Sequence, residues 1–252
     1  TGKTAAFGLP VIQRIDLSLC KPQALILSPT RELCLQIASD LTDYSQYVSG
    51  LRILPVYGGS SIESQIKTLK KGVHIIVATP GRLVDLIERR TVQLDHVSTV
   101  IMDEADEMLN MGFLDSINAI LSKVPQERKM LLFSATMPKT IAALSQTILN
   151  HPQRVEVAPV ASVVDTIDQS LYMVEKPEKV DLLVKVLNSR QDDTALVFSR
   201  TKHGADKIAR KLKQRGISCD AIHGNKSQNA RQRALENFKN HKTRVIIATD
   251  IA

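Results

Sequence analysis

The chain has 252 residues, which is enough for more than one domain, and with 43% hydrophobic and 23% charged residues it is expected to fold. No apolar stretch is long enough to cross a bilayer, and the sequence shows neither a signal peptide nor an initiator methionine, so neither a membrane nor secretion is predicted. Three scattered cysteines without C-x-x-C spacing argue against disulfides or zinc, and they predict buried thiols and a reducing, cytoplasmic location.

The chain begins with Thr1-Gly2-Lys3-Thr4, the last residues of a phosphate-loop pattern whose strand and first glycine are absent. Apolar residues between Ala5 and Ile15 recur at helical spacing, so Lys3 and Thr4 are expected at a helix N-terminus, which favours phosphate. Lys3 would then reach the β- and γ-phosphates of a nucleotide, and Thr4 would ligate Mg²⁺. Taken alone the pattern is weak, and a solvated surface lysine is the alternative.

Strands and helices are predicted to alternate twice along the chain. In the first part the predicted strands are 24–28, 52–56, 73–78, 97–102, 130–133 and 154–157, and the helices are 33–47, 61–70, 81–88, 114–123 and 138–149. In the second part the strands are 167–174, 195–199, 217–222 and 244–248, and the helices are 177–187, 203–215 and 228–237. This alternation predicts an α/β fold of two tandem domains, 1–157 and 167–252, with mainly parallel sheets flanked by helices and a linker at 158–166.

Three carboxylates stand within the four residues Asp103-Glu104-Ala105-Asp106, directly after the apolar run 97–102. That run predicts a buried strand, and open parallel sheets bind ligands just outside the carboxyl ends of their strands. Such a cluster of negative charge favours a cation, and hydrated Mg²⁺ often bridges protein carboxylates to substrate phosphates. Together with Lys3 and Thr4, the cluster predicts the metal side of a nucleotide triphosphatase.

Polar turns follow four other predicted strands of the first part. They are Pro29-Thr30-Arg31-Glu32-Leu33, Gly58-Gly59, Thr79-Pro80-Gly81-Arg82 and Ser134-Ala135-Thr136. Because the carboxyl ends of parallel strands share one edge, these turns are expected along one rim of the sheet. The arginines supply cations, and the threonines and glycine N–H groups supply neutral donors, which suits a phosphodiester backbone. Ordinary turn chemistry is the alternative for any single Gly or Pro.

Positive charge is concentrated in the C-terminal part. Residues 196–252 contain 13 Lys/Arg and 4 Asp/Glu, whereas residues 1–195 contain 20 and 22. The basic part predicts a polyanionic partner such as nucleic acid, and a solubilising surface is the alternative. Aromatic residues make up only 4% and tryptophan is absent, so backbone contact is expected rather than base stacking.

At this point the chain resembles the DEAD-box family of ATP-dependent RNA helicases, whose name residues 103–106 spell. The resemblance runs from Thr1 to Ala252 and includes, besides the motifs above, Val197-Phe198-Ser199-Arg200-Thr201-Lys202, His223-Gly224, Gln228-Asn229-Ala230-Arg231 and Ala248-Thr249-Asp250-Ile251-Ala252. The stretches 200–205 and 222–228 look like the bacterial RhlE-like subgroup. The family's adenine-recognising glutamine motif, Arg-Gly-x-Asp and His-Arg-x-Gly-Arg are absent, so a fragment truncated at both ends, hydrolysing ATP very poorly alone, is expected.

The resemblance implies two RecA-like domains that clasp ATP in their cleft and bind single-stranded RNA across their rims. It implies catalytic roles for Lys3, Asp103 and Glu104, with Glu104 activating the attacking water. Nucleotide and Mg²⁺ would be held by Gly2, Lys3, Thr4, Asp103 and Asp250, with Mg²⁺ on Thr4 and, through water, on Asp103. Asp106, Ser134 and Thr136 would couple hydrolysis to domain closure, although helix capping before Pro138 is the alternative for the last two. The implied RNA contacts are Arg31, Gly59, Thr79, Arg82, Arg200, Gly224, Gln228, Arg231 and Thr249.

Two functions from different classes fit these expectations. The first is an enzyme that couples ATP hydrolysis to local unwinding or remodelling of an RNA duplex, through sequence-independent backbone contacts to single strands or short duplexes. The second is an ATP-gated RNA clamp or assembly platform with little unwinding. A DNA translocase is a lesser alternative. Ribosomal or RNA-decay proteins are plausible partners by the same resemblance, and no membrane is expected.

Overall fold

The computed structural model describes residues 2–156 and 167–249. The chain divides into two compact units, Thr1–Ser162 and Val163–Ala252. The predicted linker 158–166 and Asp250 lie outside the described residues, so their assignments stay predictions.

The first unit alternates helices and strands along the chain. In chain order its elements are α1 Lys3–Arg14, β1 Ala24–Leu27, α2 Arg31–Tyr44, β2 Ile53–Val56, α3 Ile62–Lys70, β3 Ile75–Ala78, α4 Pro80–Glu88, β4 Thr99–Met102, α5 Ala105–Asn110, α6 Leu114–Leu121, β5 Lys129–Leu132 and α7 Lys139–Ile148. The strands form a parallel five-stranded sheet in the order β2-β3-β1-β4-β5. Leu27 pairs with both Ala78 and Met102, so β1, β3 and β4 end at the same level of the sheet.

Helices cover both faces of this sheet, which explains why its central strands are apolar throughout. Successive side chains of β1 alternate between the faces, because strand side chains have a period of two. Leu25 and Leu27 belong to one buried cluster, together with residues of α4 and α6. Ile26 belongs to the other cluster, which contains residues of α1 and α2. All four residues of β1 are buried.

The second unit has the same alternation on a smaller scale. After a 3₁₀ turn at Lys176–Glu178 come α8 Lys179–Asn188, β6 Ala195–Phe198, α9 Lys202–Gln214, β7 Cys219–Ile222, α10 Gln228–Lys239 and β8 Val245–Ala248. Among residues 167–249 the strands form a parallel sheet in the order β6-β8-β7. One buried cluster joins α8 and α9 to the sheet, and a second joins α10 to Ile246 and Ala248. The expectation of an α/β fold with parallel sheets flanked by helices is therefore confirmed.

Two predicted strands are wrong. Residues 154–156 of the predicted strand 154–157 are irregular and exposed, with Val155 83% exposed, and residue 157 lies outside the described part. The predicted strand 167–174 is also irregular, and Leu171 and Met173 are 88% and 89% exposed. Alternating apolar residues become a strand only when a neighbouring strand and a core accept them. Neither segment has such a partner among the described residues.

Two smaller expectations also need correction. The helix α5 lies inside the acidic motif and beyond it, where none was predicted. Of the three cysteines, Cys34 and Cys219 are buried as expected, but Cys20 is exposed. None of the helices within residues 2–156 and 167–249 is long and apolar enough to cross a membrane.

Candidate nucleotide and nucleic-acid site

Gly2 is the N-cap residue of α1, and its backbone conformation is one that suits glycine. Its φ of 75° and ψ of −1° lie in the left-handed region, and its carbonyl accepts the first helical bond, from Ala6 N–H at 3.0 Å. No side chain caps this end of the helix. The first N–H groups of a helix have no partner within it, so this turn presents donors and the positive end of the helix dipole. Lys3 and Thr4 lie in that first turn, as predicted.

Asp103 lies at the carboxyl end of β4 and is almost fully buried. Only 4% of the residue is exposed. Its backbone N–H donates to the carbonyl of Leu27 at 3.0 Å, which fixes it beside the end of β1. Its Oδ1 accepts from Glu104 N–H at 3.0 Å. Burial raises the pKa of Asp103, while that hydrogen bond and the charge of Lys3 oppose the rise.

Glu104 occupies a strained position between β4 and α5. Its φ and ψ are both 51°, a left-handed conformation that costs a non-glycine residue about 1–3 kcal/mol. Burial and the neighbouring charge of Asp103 raise the pKa of Glu104, and Lys3 partly offsets them. Strain of this kind persists only where the surrounding structure enforces it, and it clusters at functional sites.

The residues at this edge fit a magnesium ion bound together with a phosphate ligand. Within the described part of the chain, no group of three or more His, Cys, Asp or Glu side chains could hold a metal by itself. Mg²⁺ rarely needs such a cage, because it keeps several waters and binds one or two carboxylates together with substrate phosphates. A buried carboxylate at Asp103, close enough to Lys3 for their charges to interact, agrees with that pattern.

Asp106 joins the acidic motif to the turn after β5. Its Oδ2 accepts from the backbone N–H of Thr136 at 2.9 Å and from Thr136 Oγ1 at 2.7 Å. Ser134 Oγ donates to the carbonyl of Thr136 at 2.6 Å. Burial raises the pKa of Asp106, but its hydrogen bonds, those from Thr136 above all, outweigh burial and leave it below its ordinary value. The structure thus brings together the three residues expected to couple hydrolysis to closure.

Arg31 lies against the Gly58-Gly59 turn. A Cβ added to Gly59 would overlap the Arg31 guanidinium, and one added to Gly58 would lie 3.4 Å from it. Gly59 also has a φ of 87°, and this backbone conformation is what favours glycine here, since the guanidinium is the end of a flexible side chain that could move aside. Thr30 caps α2 by accepting from Leu33 N–H at 3.2 Å. The turn after β1 and the turn after β2 are therefore in contact here.

Arg82 is turned inward, although it was predicted to contact RNA. Its side chain is only 14% exposed, and both of its terminal nitrogens donate to the carbonyl of Ser60, at 3.2 and 3.3 Å. Nη1 also donates to Gln65 Oε1 at 3.2 Å. Thr79, at the start of the same helix, is 7% exposed. The described contacts of Arg82 hold the loop after Gly59 in place.

Gln65 is a residue of this site that the sequence analysis missed. It is 6% exposed and is the one buried residue of α3. Its Nε2 donates to the carbonyl of Tyr57 at 3.0 Å and to Ser60 Oγ at 2.5 Å. A sequence signal exists, because Gln65 lies three residues after Ile62 on the helix face that packs against the core. A glutamine in that stripe indicates a polar group with buried partners.

In the second unit, too, polar side-chain contacts hold a turn at the carboxyl ends of the strands. Asp206 Oδ1 lies 3.1 Å from Nε2 of the buried His223 and 2.9 Å from Lys226 Nζ. These contacts fasten the turn after β7, which contains Gly224. A Cβ added to Gly224 would meet nothing within 4 Å, so its backbone is open to a ligand. Lys202 Nζ donates to Asn225 Oδ1 at 3.0 Å, which ties the turn after β6 to the same loop.

The other residues expected to contact RNA also lie at this rim. Arg200 is exposed after β6, Thr249 follows β8, and Gln228 and Arg231 lie in the first turn of α10, whose N-cap Ser227 accepts from Ala230 N–H at 3.3 Å. Parallel strands place all these positions at one edge of the small sheet. Asp250, expected at the nucleotide ribose, lies outside the described residues.

Together, the fold and the first-unit site define an α/β protein with a parallel sheet that has acidic and basic groups at the carboxyl edge of its strands. Residues 1–144 match the DEAD/DEAH box helicase family, and residues 178–252 match the helicase conserved C-terminal domain. The chain belongs to the DEAD-box helicase family.

Named relatives and solved structures agree with this assignment. The chain is 46% identical to the DEAD-box ATP-dependent RNA helicase CshA of Streptococcus pneumoniae and 45% identical to that of Bacillus subtilis, covering all of the chain and 48% and 51% of those proteins. It therefore spans about half the length of these relatives. A structure of S. cerevisiae Dbp5 bound to RNA and ADP BeF3 has a TM-score of 0.87 at 27% identity, with 99% of this chain and 63% of that chain covered. A DEAD box protein from Methanococcus jannaschii has a TM-score of 0.57 at 38% identity, with 100% and 67% covered.

Proposed function

We propose that this chain is the core of an ATP-dependent RNA helicase, which binds the RNA backbone and couples ATP hydrolysis to local unwinding or remodelling of RNA duplexes. The observation that carries the proposal is the buried Asp103 beside the strained Glu104, at the end of β4, within range of the charge of Lys3. The relatives are ATP-dependent RNA helicases by name, which supports the same activity.

The chain's own residues supply the parts that phosphoryl transfer needs. The first turn of α1 and Lys3 would bind the β- and γ-phosphates, and Thr4 and Asp103 would hold Mg²⁺, which neutralises phosphate charge when bound. Glu104, whose pKa burial raises, would orient a water and accept its proton as the water attacks the γ-phosphate. Asp106, Ser134 and Thr136 would transmit the change at the phosphate to the turn after β5. Asp250 would meet the ribose.

RNA would lie across the strand-end rims and be held by its backbone. In the first unit we assign direct contacts to Arg31, Gly59, Thr79 and Arg82, and Arg82 also holds the loop after Gly59. In the second unit we assign them to Arg200, Gly224, Gln228, Arg231 and Thr249. Backbone contacts of this kind are independent of sequence and weaken with salt, and selection of RNA over DNA would depend on the 2′-hydroxyl.

Finer assignments belong to the same proposal. The stretches 200–205 and 222–228 favour an RhlE-like protein, although the relatives reported above bear the name CshA. Residues 1–157 and 167–252 would be the two RecA-like domains, joined by a linker at 158–166. We further propose a cytoplasmic location and ribosomal or RNA-decay proteins as partners.

A strand-displacement assay on the full-length protein tests the function. We expect a short RNA duplex with a single-stranded overhang to be separated only with ATP and Mg²⁺, and the matching DNA duplex to be separated poorly. Lys3→Ala serves as the control, since it removes the cation at the phosphates and leaves both rims intact. ATP-dependent RNA binding without displacement would reject unwinding and favour a clamp, and displacement that is equal in the Lys3→Ala protein would reject the site.

A further inference from the structure

An open groove of about 690 Å³ lies on the flank of the second unit, between α9 and α10 and along β7. Its floor consists of small side chains: Ala209 on α9, Ala221 on β7, and Ala230 and Ala234 on α10. Alanines 230 and 234 are one helical turn apart and therefore lie side by side. Larger side chains at these four positions would fill the depression, so the groove follows directly from the sequence.

The groove is bordered mainly by positive charge. Arg210 and Lys213 line it from α9, and Lys226 and Arg233 line it from the α10 side. Of these four cations only Lys226 belongs to the rim at the carboxyl ends of the strands, because it lies between Gly224 and Gln228 in the sequence. The other three lie away from that rim. The groove thus begins at the rim proposed to bind RNA and runs away from it along the two helices.

Two acidic residues in the groove are already compensated. Asp206 lies 2.9 Å from Lys226 Nζ, as well as against His223. Asp220 lies 3.6 Å from Lys213 Nζ and accepts from Thr243 Oγ1 at 3.1 Å.

The two arginines are different, because neither Arg210 nor Arg233 makes an ion pair with any residue within 2–156 or 167–249. Both are exposed. The uncompensated charge of the groove is therefore that of these two guanidinium groups, which favour bidentate contact with phosphate.

We infer that this groove, formed by α9, β7 and α10, is a second RNA-backbone site, which receives the strand that leaves the strand-end rim beside Lys226. The inference deepens the proposed function and rests on it. From Asp206 to Lys213 the groove follows about 10 Å of helix, so it is long enough for a short stretch of RNA backbone. Its alanine floor offers no aromatic surface for stacking, so contact is to the backbone and independent of sequence.

The test compares two RNA lengths in two double variants. Arg210→Gln/Arg233→Gln removes the two groove arginines, and Lys207→Gln/Lys211→Gln removes two exposed charges of α9 that do not line the groove. Fluorescence anisotropy would measure binding of labelled oligouridines of about six and about fourteen nucleotides, so that only the longer can extend past the rim. The full-length protein is used, with Mg²⁺ and a non-hydrolysable ATP analogue.

We expect the wild-type protein to bind the longer RNA more tightly, and the arginine variant to lose about tenfold on the longer RNA only. Its salt slope, d log K/d log[salt], should become shallower by about 1.4, since each single-strand phosphate contact contributes ~0.7. The lysine variant should lose little at either length. All four substituted side chains are exposed, so folding should be unaffected.

Three results would overturn the inference. Equal affinity of the wild-type protein for both lengths would show that RNA does not continue past the rim. An equal loss in both double variants would show only a general effect of net charge. If the arginine variant kept the wild-type preference for the longer RNA, the groove would not bind RNA. An acidic protein segment would then be the ligand that its charge favours. If neither RNA bound the wild-type protein, the proposed function would fail as well, so the two failures are distinguishable.

Discussion

Arg82 donates a hydrogen bond of 3.2 Å to Gln65 Oε1, and both side chains also bond to Ser60 in the loop that follows the Gly58-Gly59 turn. Gln65 reaches the other side of the turn as well, through the carbonyl of Tyr57. The turn against which Arg31 lies is therefore held from both sides by buried polar groups. Satisfied polar networks of this kind fix a single loop geometry, and binding sites depend on such fixed geometry.

Replacing Gln65 with alanine should therefore weaken RNA binding without changing nucleotide binding. The substitution removes two donated bonds and the acceptor of Arg82, and buried groups left without partners cost about 1–3 kcal/mol of stability. A loosened turn should lower RNA affinity about tenfold, because small displacements of contact groups are costly. Fluorescence anisotropy with single-stranded RNA, alongside titration of an ATP analogue, would measure both.

The matched control for this variant is Gln46→Ala, which removes an exposed glutamine from the same unit. It should behave like the wild-type protein in both titrations. Equal RNA affinity of the two alanine variants, at a temperature where both are folded, would show that Gln65 only stabilises the fold.

Changing Glu104 to glutamine should abolish ATP turnover and preserve RNA binding. The amide keeps the size of the side chain but cannot accept the proton of the attacking water, and loss of a general base costs about 10²–10⁴ in rate. Because burial and the charge of Asp103 disfavour the charged Glu104, as its raised pKa shows, the neutral variant should be no less stable. Steady-state ATPase rates with RNA and thermal unfolding would check both statements.

Glu107→Gln is the control, because Glu107 is exposed and lies on the same short helix. It should retain turnover. Retained turnover in the Glu104 variant would remove Glu104 from the catalytic role.

Much of the first unit could be predicted from sequence because its strands are buried on both faces. Such strands appear as unbroken apolar runs, and the polar residues that follow them must lie at one edge. Asp103 was placed correctly at that edge for this reason, whereas Lys3 was placed at a helix N-terminus because the apolar residues after it recur at helical spacing. The exposed segments 154–156 and 167–174 could not be predicted, since apolar alternation does not show whether a partner strand exists.

The internal contacts of the site were harder to predict. Helix α5 has six residues and begins inside the acidic motif, so periodicity over such a short length gives no signal. Arg82 and Arg31 look alike in sequence, yet Arg82 is turned inward because Ser60 and Gln65 offer buried acceptors 22 and 17 residues away. A partner so distant along the chain is fixed by tertiary packing and not by local pattern.

Weakening the contact between Asp106 and Thr136 should uncouple ATP hydrolysis from RNA unwinding. Thr136→Val removes the hydroxyl that donates to Asp106 Oδ2 at 2.7 Å but keeps the backbone donor at 2.9 Å. A lost hydrogen bond to a charged group is worth about 1.5–3 kcal/mol, reduced here by solvent exposure. We expect the amount of ATP hydrolysed per duplex separated to rise several-fold, in parallel ATPase and displacement assays.

Thr140→Val, at an exposed position in the first turn of α7, provides the comparison. Its ratio of hydrolysis to displacement should equal that of the wild-type protein. An unchanged ratio in the Thr136 variant would limit Asp106, Ser134 and Thr136 to helix capping.

The polar contacts that hold the turn after β7 should make the stability of the second unit depend on pH through Asp206. Hydrogen bonds from Lys226 and His223 lower the pKa of Asp206 below its ordinary value of 3.8. A lowered pKa in the folded state means that the stabilisation is fully present above the unfolded value and is lost as pH falls through the folded value. Asp206→Asn should therefore cost about 1 kcal/mol near neutral pH, since the carboxylate is partly exposed, and progressively less as the pH falls through the lowered pKa of the folded state.

Urea unfolding followed by circular dichroism, at a series of pH values, would measure this difference. Asp192→Asn is the control, because Asp192 is exposed and makes no ion pair with any residue that the structure describes. The Asp206 variant should unfold at a lower urea concentration than the control at neutral pH, and the two should converge in acid. If the two variants differed by the same urea concentration at every pH, Asp206 would act through its shape and not through its charge. The turn that contains Gly224 would then have to be held by other contacts.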